Sequence, residues 1–289
     1  MFSLAKILFP VDYSEHSLGM ARYAIPLAEH FRSEITLLHV LEPHYELERV
    51  TEDRRPLREL LADRREQAQQ RVRAILSAEL HGVPVKRTVL EGDAAQKIVE
   101  YAGSKKCSLI LMSSKGRGFF RRLLLGSITA KVLHDAACPI WTGIHSIDVP
   151  PEETIRYRRV LCAIDLTLHS AKTLDWASQF AAEFKARLSV VHILPRLDVP
   201  GEEYFSRRWR RRVIDRAENE IEKLQRKVGS EGEVKLEAGD VSQGVCALAK
   251  RFRADLLVVG RGKGSGATGR FPATAYAIIR QASCPVVSV

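Results

Sequence analysis

Nowhere in its 289 residues does the chain hold an apolar run long enough to cross a bilayer as a helix, which takes about 18 residues. Cysteine is scarce: Cys107, Cys138, Cys162, Cys246 and Cys284 are widely spread and form no C-x-x-C pair. That pattern excludes a disulfide frame and a thiolate zinc site and predicts reduced core thiols. Neither H-E-x-x-H nor G-x-S-x-G occurs, and no Cys or His pair stands at metal-ligand spacing. No catalytic residue and no protein metal ligand is assigned. Near the start, Ile7-Leu8-Phe9 is too short for the apolar stretch of an export signal and leads straight into Pro10 and Asp12, so a cytoplasmic protein is expected.

Positive charge is what the chain has in excess. Lys and Arg number 45 against 35 Asp and Glu, a formal charge of +10 that favours polyanions without naming one. With 45% hydrophobic and 28% charged residues the composition is that of a globular protein. At roughly 150 residues per domain its length predicts two domains, each with its own core.

Two segments match in order. Lys6-Ile-Leu-Phe-Pro-Val-Asp12 pairs with Val160-Leu-Cys-Ala-Ile-Asp165, and Leu37-Leu-His-Val40 with Val190-Val-His-Ile193. Glu91-Gly-Asp93 pairs with Ala238-Gly-Asp240, Leu109–Met112 with Leu256–Val259, and Ala137-Cys-Pro-Ile140 with Ser283-Cys-Pro-Val286. Pro150-Pro151 and Glu152-Glu153, without apolar periodicity, mark a link. The expected division is a first domain over 1–145, a link over 146–157 and a second domain over 158–289.

In each half, short apolar runs alternate with longer segments of helical period, the signature of βαβ units. Strands are expected near Lys6–Val11, Glu34–Val40, Val85–Leu90, Leu109–Met112 and Pro139–Trp141, and helices near Ser17–Phe31, Pro56–Leu80, Ala94–Ser104 and Ser127–Asp135. Ser14 and Thr167 are expected to cap the first helix of their halves. The fold class is α/β: two doubly wound, Rossmann-like parallel-sheet domains in tandem.

Such sheets bind ligands beyond the carboxyl ends of their strands. There the first half places Ser113-Ser-Lys-Gly116-Arg-Gly118, then Phe119-Phe-Arg-Arg-Leu-Leu-Leu125, and Gly126-Ser127-Ile128 opening a helix. Glycines let backbone approach a polyphosphate, and a helix start offers N–H groups and the positive dipole end. Lys115, Arg117, Arg121 and Arg122 add charge. A merely solvated Gly-rich loop fits the same composition. Asp12 suits a ribose contact, a water-bridged metal or a helix cap, and its repetition as Asp165 fits a role in the fold. His39 and His192 read as packing or hydrogen-bonding residues.

These residues resemble the universal stress protein family in a tandem two-domain form, over nearly the whole chain from Pro10-Val-Asp12 to the closing Cys284-Pro-Val-Val. Nucleotide-binding members carry Gly, two residues, Gly, nine residues, then Gly and Ser or Thr. Gly116, Arg117 to Leu125 and Gly126-Ser127 match, while Ser113 replaces the first Gly and bears on affinity, not on fold. The resemblance implies that Asp12 contacts a ribose and Val40 meets adenine through its backbone. It also implies that Gly116, Gly126, Ser127 and Ile128 line the phosphates, with Pro10 and Met112 against base or ribose. ATP, with Mg²⁺ on its phosphates, is the implied ligand. The same resemblance has the two halves pair through their last strands, 139–141 against 285–289.

The second half departs from this pattern, with Pro272-Ala273 where Gly126-Ser127 stands; Pro lacks an N–H and Ala a hydroxyl. Gly264-x-Gly266-x-x-Gly269 lacks the acidic residue a dinucleotide fold needs, and Gly262-Lys263-Gly264 lacks the Ser or Thr of a P-loop. Arg207-Arg-Trp-Arg-Arg-Arg212 opens a helical segment to about Lys227 and reads as a solvated or acid-contacting face, with nucleic acid set aside because no nucleic-acid fold signature accompanies it. The expected function is a stress-response protein whose first domain binds an adenine nucleotide as a conformational or assembly ligand. The alternatives are a scaffold that binds a partner protein or a small apolar ligand without nucleotide, and a slow ATPase. A homodimer is left open.

Overall fold

The computed structural model describes residues 2–43, 54–115, 125–144, 155–194, 207–262 and 273–289. In chain order the first half runs β1 (Lys6–Pro10), α1 (Glu15–Gly19), α2 (Ala21–Phe31), β2 (Glu34–Leu41), α3 (Arg54–Ala74), β3 (Val85–Glu91), α4 (Ala94–Ser104), β4 (Leu109–Met112), α5 (Ser127–Asp135) and β5 (Ile140–Thr142). The second half runs β6 (Arg159–Ala163), α6 (Ser170–Glu183), β7 (Arg187–Leu194), α7 (Arg207–Val228), β8 (Glu233–Ala238), α8 (Val241–Arg251), β9 (Leu256–Val259), α9 (Ala273–Gln281) and β10 (Val286–Ser288).

Both halves are doubly wound. In the first, parallel strands lie in the order β3-β2-β1-β4, with Leu8 opposite Thr36 on one side and Ile110 on the other. In the second, β10-β9-β6-β7-β8 follows the same scheme, with Cys162 between Val190 and Val258. The central strands are apolar throughout because helices cover both of their faces: Leu8, Phe9, Ile110 and Leu111 are fully buried, as are Val190, Val191, Leu257 and Val258.

Two compact units result, one of Ser3–Ile140 with Ser146–Ile155, the other of Met1–Phe2, Trp141–His145 and Arg156–Val289. The second unit owes part of its core to an aromatic cluster. Trp176 stacks on Phe180 at 5.2 Å, and Phe180 also meets Trp141, Tyr157 and Phe184. Within the same unit Thr142 donates its hydroxyl to the Val286 carbonyl at 3.1 Å.

Where structure and sequence expectation differ, the cause is local. The segment expected as one helix over 17–31 is broken at Met20, beyond Gly19, a poor helix former. The third helix ends at Ala74 and continues only as turns toward Gly82, whose φ of +89° marks the reversal. Ser14 caps α1 as expected, accepting the Ser17 N–H at 3.1 Å. Thr167 does not cap α6: its hydroxyl donates to Asp165 Oδ1 at 2.7 Å, and the helix starts at Ser170 after His169, which makes no side-chain cap.

None of the five cysteines is joined in a disulfide. Cys107, Cys162 and Cys284 are buried, Cys138 and Cys246 half-buried. Burial raises the thiols, Cys107 and Cys246 to about 11 and Cys284 to about 12, which keeps them protonated and unreactive.

Candidate functional site

At the carboxyl end of β1 the chain makes a tight hydrogen-bonded turn. The Val11 N–H donates to the Leu38 carbonyl at 2.8 Å, which holds the end of β1 against β2. Asp12 is half-buried, and its Oδ1 accepts the Ser14 N–H at 3.0 Å and the Ser14 hydroxyl at 2.6 Å. Its own N–H donates to Ser17 Oγ at 3.3 Å. This is an Asx turn that hands over to a helix cap. One carboxylate oxygen, Oδ1, is fully engaged, while Oδ2 accepts no hydrogen bond among the described residues.

Between Asp12 and Ser14, Tyr13 has φ of 64°, a left-handed conformation uncommon outside glycine. Its ring lies 4.5 Å from the ring of His39, and the Arg71 guanidinium of α3 covers it at 3.9 Å. His39 Nδ1 is 2.8 Å from the Val11 carbonyl. Since a carbonyl only accepts, Nδ1 carries the proton, and the imidazole ties the end of β1 to β2.

The end of β4 is bound to the start of α5. Thr129 donates its hydroxyl to the Ser113 carbonyl at 2.9 Å, and the Gly126 N–H donates to the Ser114 carbonyl at 3.0 Å. Ser113 Oγ turns back to accept the Lys115 N–H at 3.0 Å, a second local turn. Gly126 is the N-cap of α5 and offers no side chain to it. The N–H groups of Ser127 and Ile128 therefore find no acceptor among the described residues, as a helix's first turn requires a partner from outside. Because β1 and β4 are adjacent, this end of α5 and the Asp12 turn share the switch point of the first sheet.

Of the residues proposed for nucleotide contact, Pro10 ends β1 opposite Leu38, Val40 lies half-buried in β2 opposite Leu90, and Met112 is buried at the end of β4. Ser113, Gly126, Ser127 and Ile128 stand as described, with Ser127 exposed. Gly116, Arg117, Gly118, Arg121 and Arg122 lie outside the described residues. Lys115 brings positive charge to the turn: burial first, and then Lys115, holds His16 below the ordinary imidazole range, against the opposing pull of Glu15 and Asp12. His16, Tyr13, Arg71 and Thr129 were not singled out in the sequence. Arg71 comes from a helix far along the chain, and no local pattern announces it.

The matching turn in the second half is built alike. Asp165 Oδ1 accepts the Thr167 N–H at 3.0 Å, the Thr167 hydroxyl and the Ser170 hydroxyl at 2.9 Å. Burial pushes this carboxyl upward, but the Thr167 and Ser170 hydrogen bonds outweigh it and leave Asp165 below the usual carboxylate range. His192 Nδ1 meets the Ile164 carbonyl at 2.9 Å. After β9 comes Gly260, where a Cβ would stand 2.9 Å from Thr173 Oγ1, and then Gly262, where it would stand 3.5 Å from Asp165 Oδ2. Pro272 lies outside the described residues, and α9 starts at Ala273.

Among the described residues no group of three or more His, Cys, Asp and Glu is placed to hold a metal, and no helix is long and apolar enough to cross a membrane. What the fold and its switch points define is a tandem α/β protein of Rossmann-like type. The profile of the universal stress protein family matches residues 4–142 and again 156–289, and the chain belongs to that family. Among curated proteins it is 35% identical over 136 residues to a universal stress protein of Methanocaldococcus jannaschii, covering 47% of this chain and 79% of that one. It is 33% identical over 137 residues to one of Thermus aquaticus, covering 46% and 94%. A crystal structure of a universal stress protein from Archaeoglobus fulgidus shares the fold at 23% identity, with a TM-score of 0.68 over 99% of this chain and 96% of that one.

Proposed function

We propose that the first half binds an adenine nucleotide, ATP with Mg²⁺ on its phosphates, as a conformational or assembly ligand in a cytoplasmic stress response. The observation that carries this reading is the pairing of two unfilled hydrogen-bonding ends at one switch point. Among the described residues Asp12 Oδ2 has no partner, which suits a ribose hydroxyl, and the Ser127 and Ile128 N–H groups have no acceptor at the positive end of α5, which suits a phosphate. In this reading Val40 meets the base through its backbone, Pro10 and Met112 flank base or ribose, and Gly116 and Gly126 with Ser113 complete the phosphate loop. Bound Mg²⁺ would neutralise phosphate charge, with no protein carboxylate required. In this reading no side chain acts as a general base, and the nucleotide serves as a signal.

The domain division at 1–145, 146–157 and 158–289, and the pairing of the halves through their last strands, belong to the same proposal. A nucleotide-free scaffold is favoured by one feature, the Ser113 side chain folded into the loop where the family pattern has glycine.

Native mass spectrometry of the full chain, with and without ATP and Mg²⁺, tests the proposal. One nucleotide per chain, lost in Asp12→Ala, is the expected result. No bound nucleotide at millimolar ATP would hand the site to the scaffold reading.

A further inference from the structure

The turn of the first half carries an arginine that neither the fold nor the contacts assigned above account for. Arg71 of α3 lies with its guanidinium 3.9 Å over the Tyr13 ring, and that ring lies 4.5 Å from the ring of His39. His39 is in turn held to the Val11 carbonyl. Three elements thus build one layered stack: the turn after β1, the strand β2, and α3, which packs on β2 and β3. Arg71 is exposed, and among the described residues no carboxylate pairs with it, whereas Arg65 of the same helix pairs with Glu91 at 3.6 Å. Stacking engages the flat face of a guanidinium and leaves the N–H donors at its edges for another partner. The second half shows that the turn itself does not need the stack, because Leu166 takes the same left-handed conformation as Tyr13, at 61° against 64°.

We propose that Arg71, held flat on Tyr13, grips a phosphate carried by the ribose, so that the preferred ligand of the first half is an adenine nucleotide phosphorylated on its 2′ or 3′ hydroxyl. This rests on the reading of the first half as an adenine-nucleotide site. The sheet order β2-β1-β4 puts Lys115 and the start of α5 on one side of the Asp12 turn and the stack on the other. A 5′ phosphate chain placed at α5 therefore leaves Arg71 on the side of the base and ribose, where adenine itself offers no anion.

The state of Asp12 points the same way. Its Oδ1 is engaged by the Ser14 N–H and hydroxyl at 3.0 and 2.6 Å, so the carboxylate cannot hold two vicinal ribose hydroxyls with one oxygen each. One hydroxyl meets Oδ2, and its neighbour is open to substitution. A carboxylate alone would repel a phosphate there, and an arginine near the ribose is how dinucleotide-binding α/β folds accept one. The planar fork of Arg matches two phosphate oxygens at once. Resting on Tyr13, the side chain has already given up part of the rotamer freedom that binding would otherwise cost.

Titration calorimetry of the full chain tests this with AMP, adenosine 2′,5′-bisphosphate, adenosine 3′,5′-bisphosphate, and ATP with Mg²⁺, at about 150 mM salt to screen diffuse attraction. One of the two bisphosphates should bind about tenfold to a hundredfold more tightly than AMP, the gain of a charge-assisted contact. Arg71→Met should bring that ratio close to one. Tyr13→Leu, which installs the side chain that the matching turn carries as Leu166, should also lower the ratio by releasing the guanidinium. A merely structural Arg71 would leave the ratio unchanged, because any general loss of folded protein affects both ligands alike. If AMP or ATP binds and neither bisphosphate gains on AMP, or if Arg71→Met keeps the gain, the proposal is overturned while the nucleotide reading stands. If none of the four ligands binds, the nucleotide reading fails and this proposal falls with it.

Discussion

Asp12 and Asp165 stand at matched places after β1 and β6, and each carboxylate accepts hydrogen bonds from the backbone and hydroxyl of the residue two positions on. The residues between them, Tyr13 and Leu166, share a positive φ of 64° and 61°. An aromatic ring is thus not needed to build the turn: Leu166 adopts it without the His39 and Arg71 layers that enclose Tyr13. His39 and His192 tie their strands in the same way. The shared turn therefore belongs to the fold. Differences begin after β4 and β9, where Ser113 faces Gly260 in the comparison, and at the helix that follows, where Ser127 faces Ala273. The halves teach that an aspartate at a strand end says little about ligand binding until the next helix start supplies donors.

The largest expected effect comes from giving the first half the donor loss seen in the second. Gly126→Pro would imitate Pro272 but would also delete the Gly126 N–H bond to Ser114. Ser127→Pro is cleaner: Pro is tolerated at the first helical position, and the extended Gly126, at φ −57° and ψ 138°, suits the residue before a proline. Loss of one N–H to a charged phosphate is worth about 1.5–3 kcal/mol, so ATP affinity should fall roughly tenfold to a hundredfold with unchanged melting temperature. Equal affinity, measured by titration calorimetry, would remove α5 from the site and erase the contrast between the halves.

Next comes Gly260→Ser, which gives the second half the residue of the first. The new Cβ would stand 2.9 Å from Thr173 Oγ1, inside a buried contact, so overpacking of about 1–3 kcal/mol is expected in urea unfolding. Thr173→Ala in the same chain should recover part of it. The reciprocal Ser113→Gly loses only the Oγ bond to the Lys115 N–H and should change stability little. If both substitutions cost the same, glycine at this position would answer to the fold and not to α6.

Much of this was legible in the sequence because buried parallel strands cannot disguise themselves. Ile7–Phe9, Leu109–Met112 and Leu256–Val259 are apolar on both faces, and the repeated Gly-Asp before α4 and α8 announces an N-cap that Asp93 and Asp240 do supply, to Gln96 and Gln243. Less legible were facts that depend on distant partners. Ser14 and Thr167 look alike as capping residues and both donate a hydroxyl to the aspartate before them, but only Ser14 also accepts from its helix, because α6 starts later, at Ser170 after His169. A left-handed Tyr13 cannot be read from a residue type that disfavours it, and the Arg71 layer comes from the far side of a long crossover.

The two hydroxyls offer a finer cut at the comparison. Ser14→Ala removes both a cap on α1 and a donor to Asp12, and should cost about 1–2 kcal/mol. Thr167→Ala removes a donor alone and should cost about 0.5–1 kcal/mol, since α6 never relied on it. Chemical denaturation of the two variants checks the ratio, and an equal loss would mean that Ser14 acts through the aspartate only.

The smallest effect is a pH dependence of the second half. Asp165 lies below its unfolded value, so the unfolded chain binds a proton more readily than the folded one, and its contribution to stability is present above the unfolded pKa of 3.8. That contribution is lost as the pH falls through the lower, folded value. Asp165→Asn should therefore melt at a slightly lower temperature than the parent near neutral pH, and the gap should close on acidification below the unfolded value. The carboxylate is substantially exposed, so solvent screening keeps the effect small. A gap that instead widened toward acid would mean that the Thr167 and Ser170 hydroxyls favour the protonated carboxyl, and that the shared turn is held together differently in solution from the geometry both halves display.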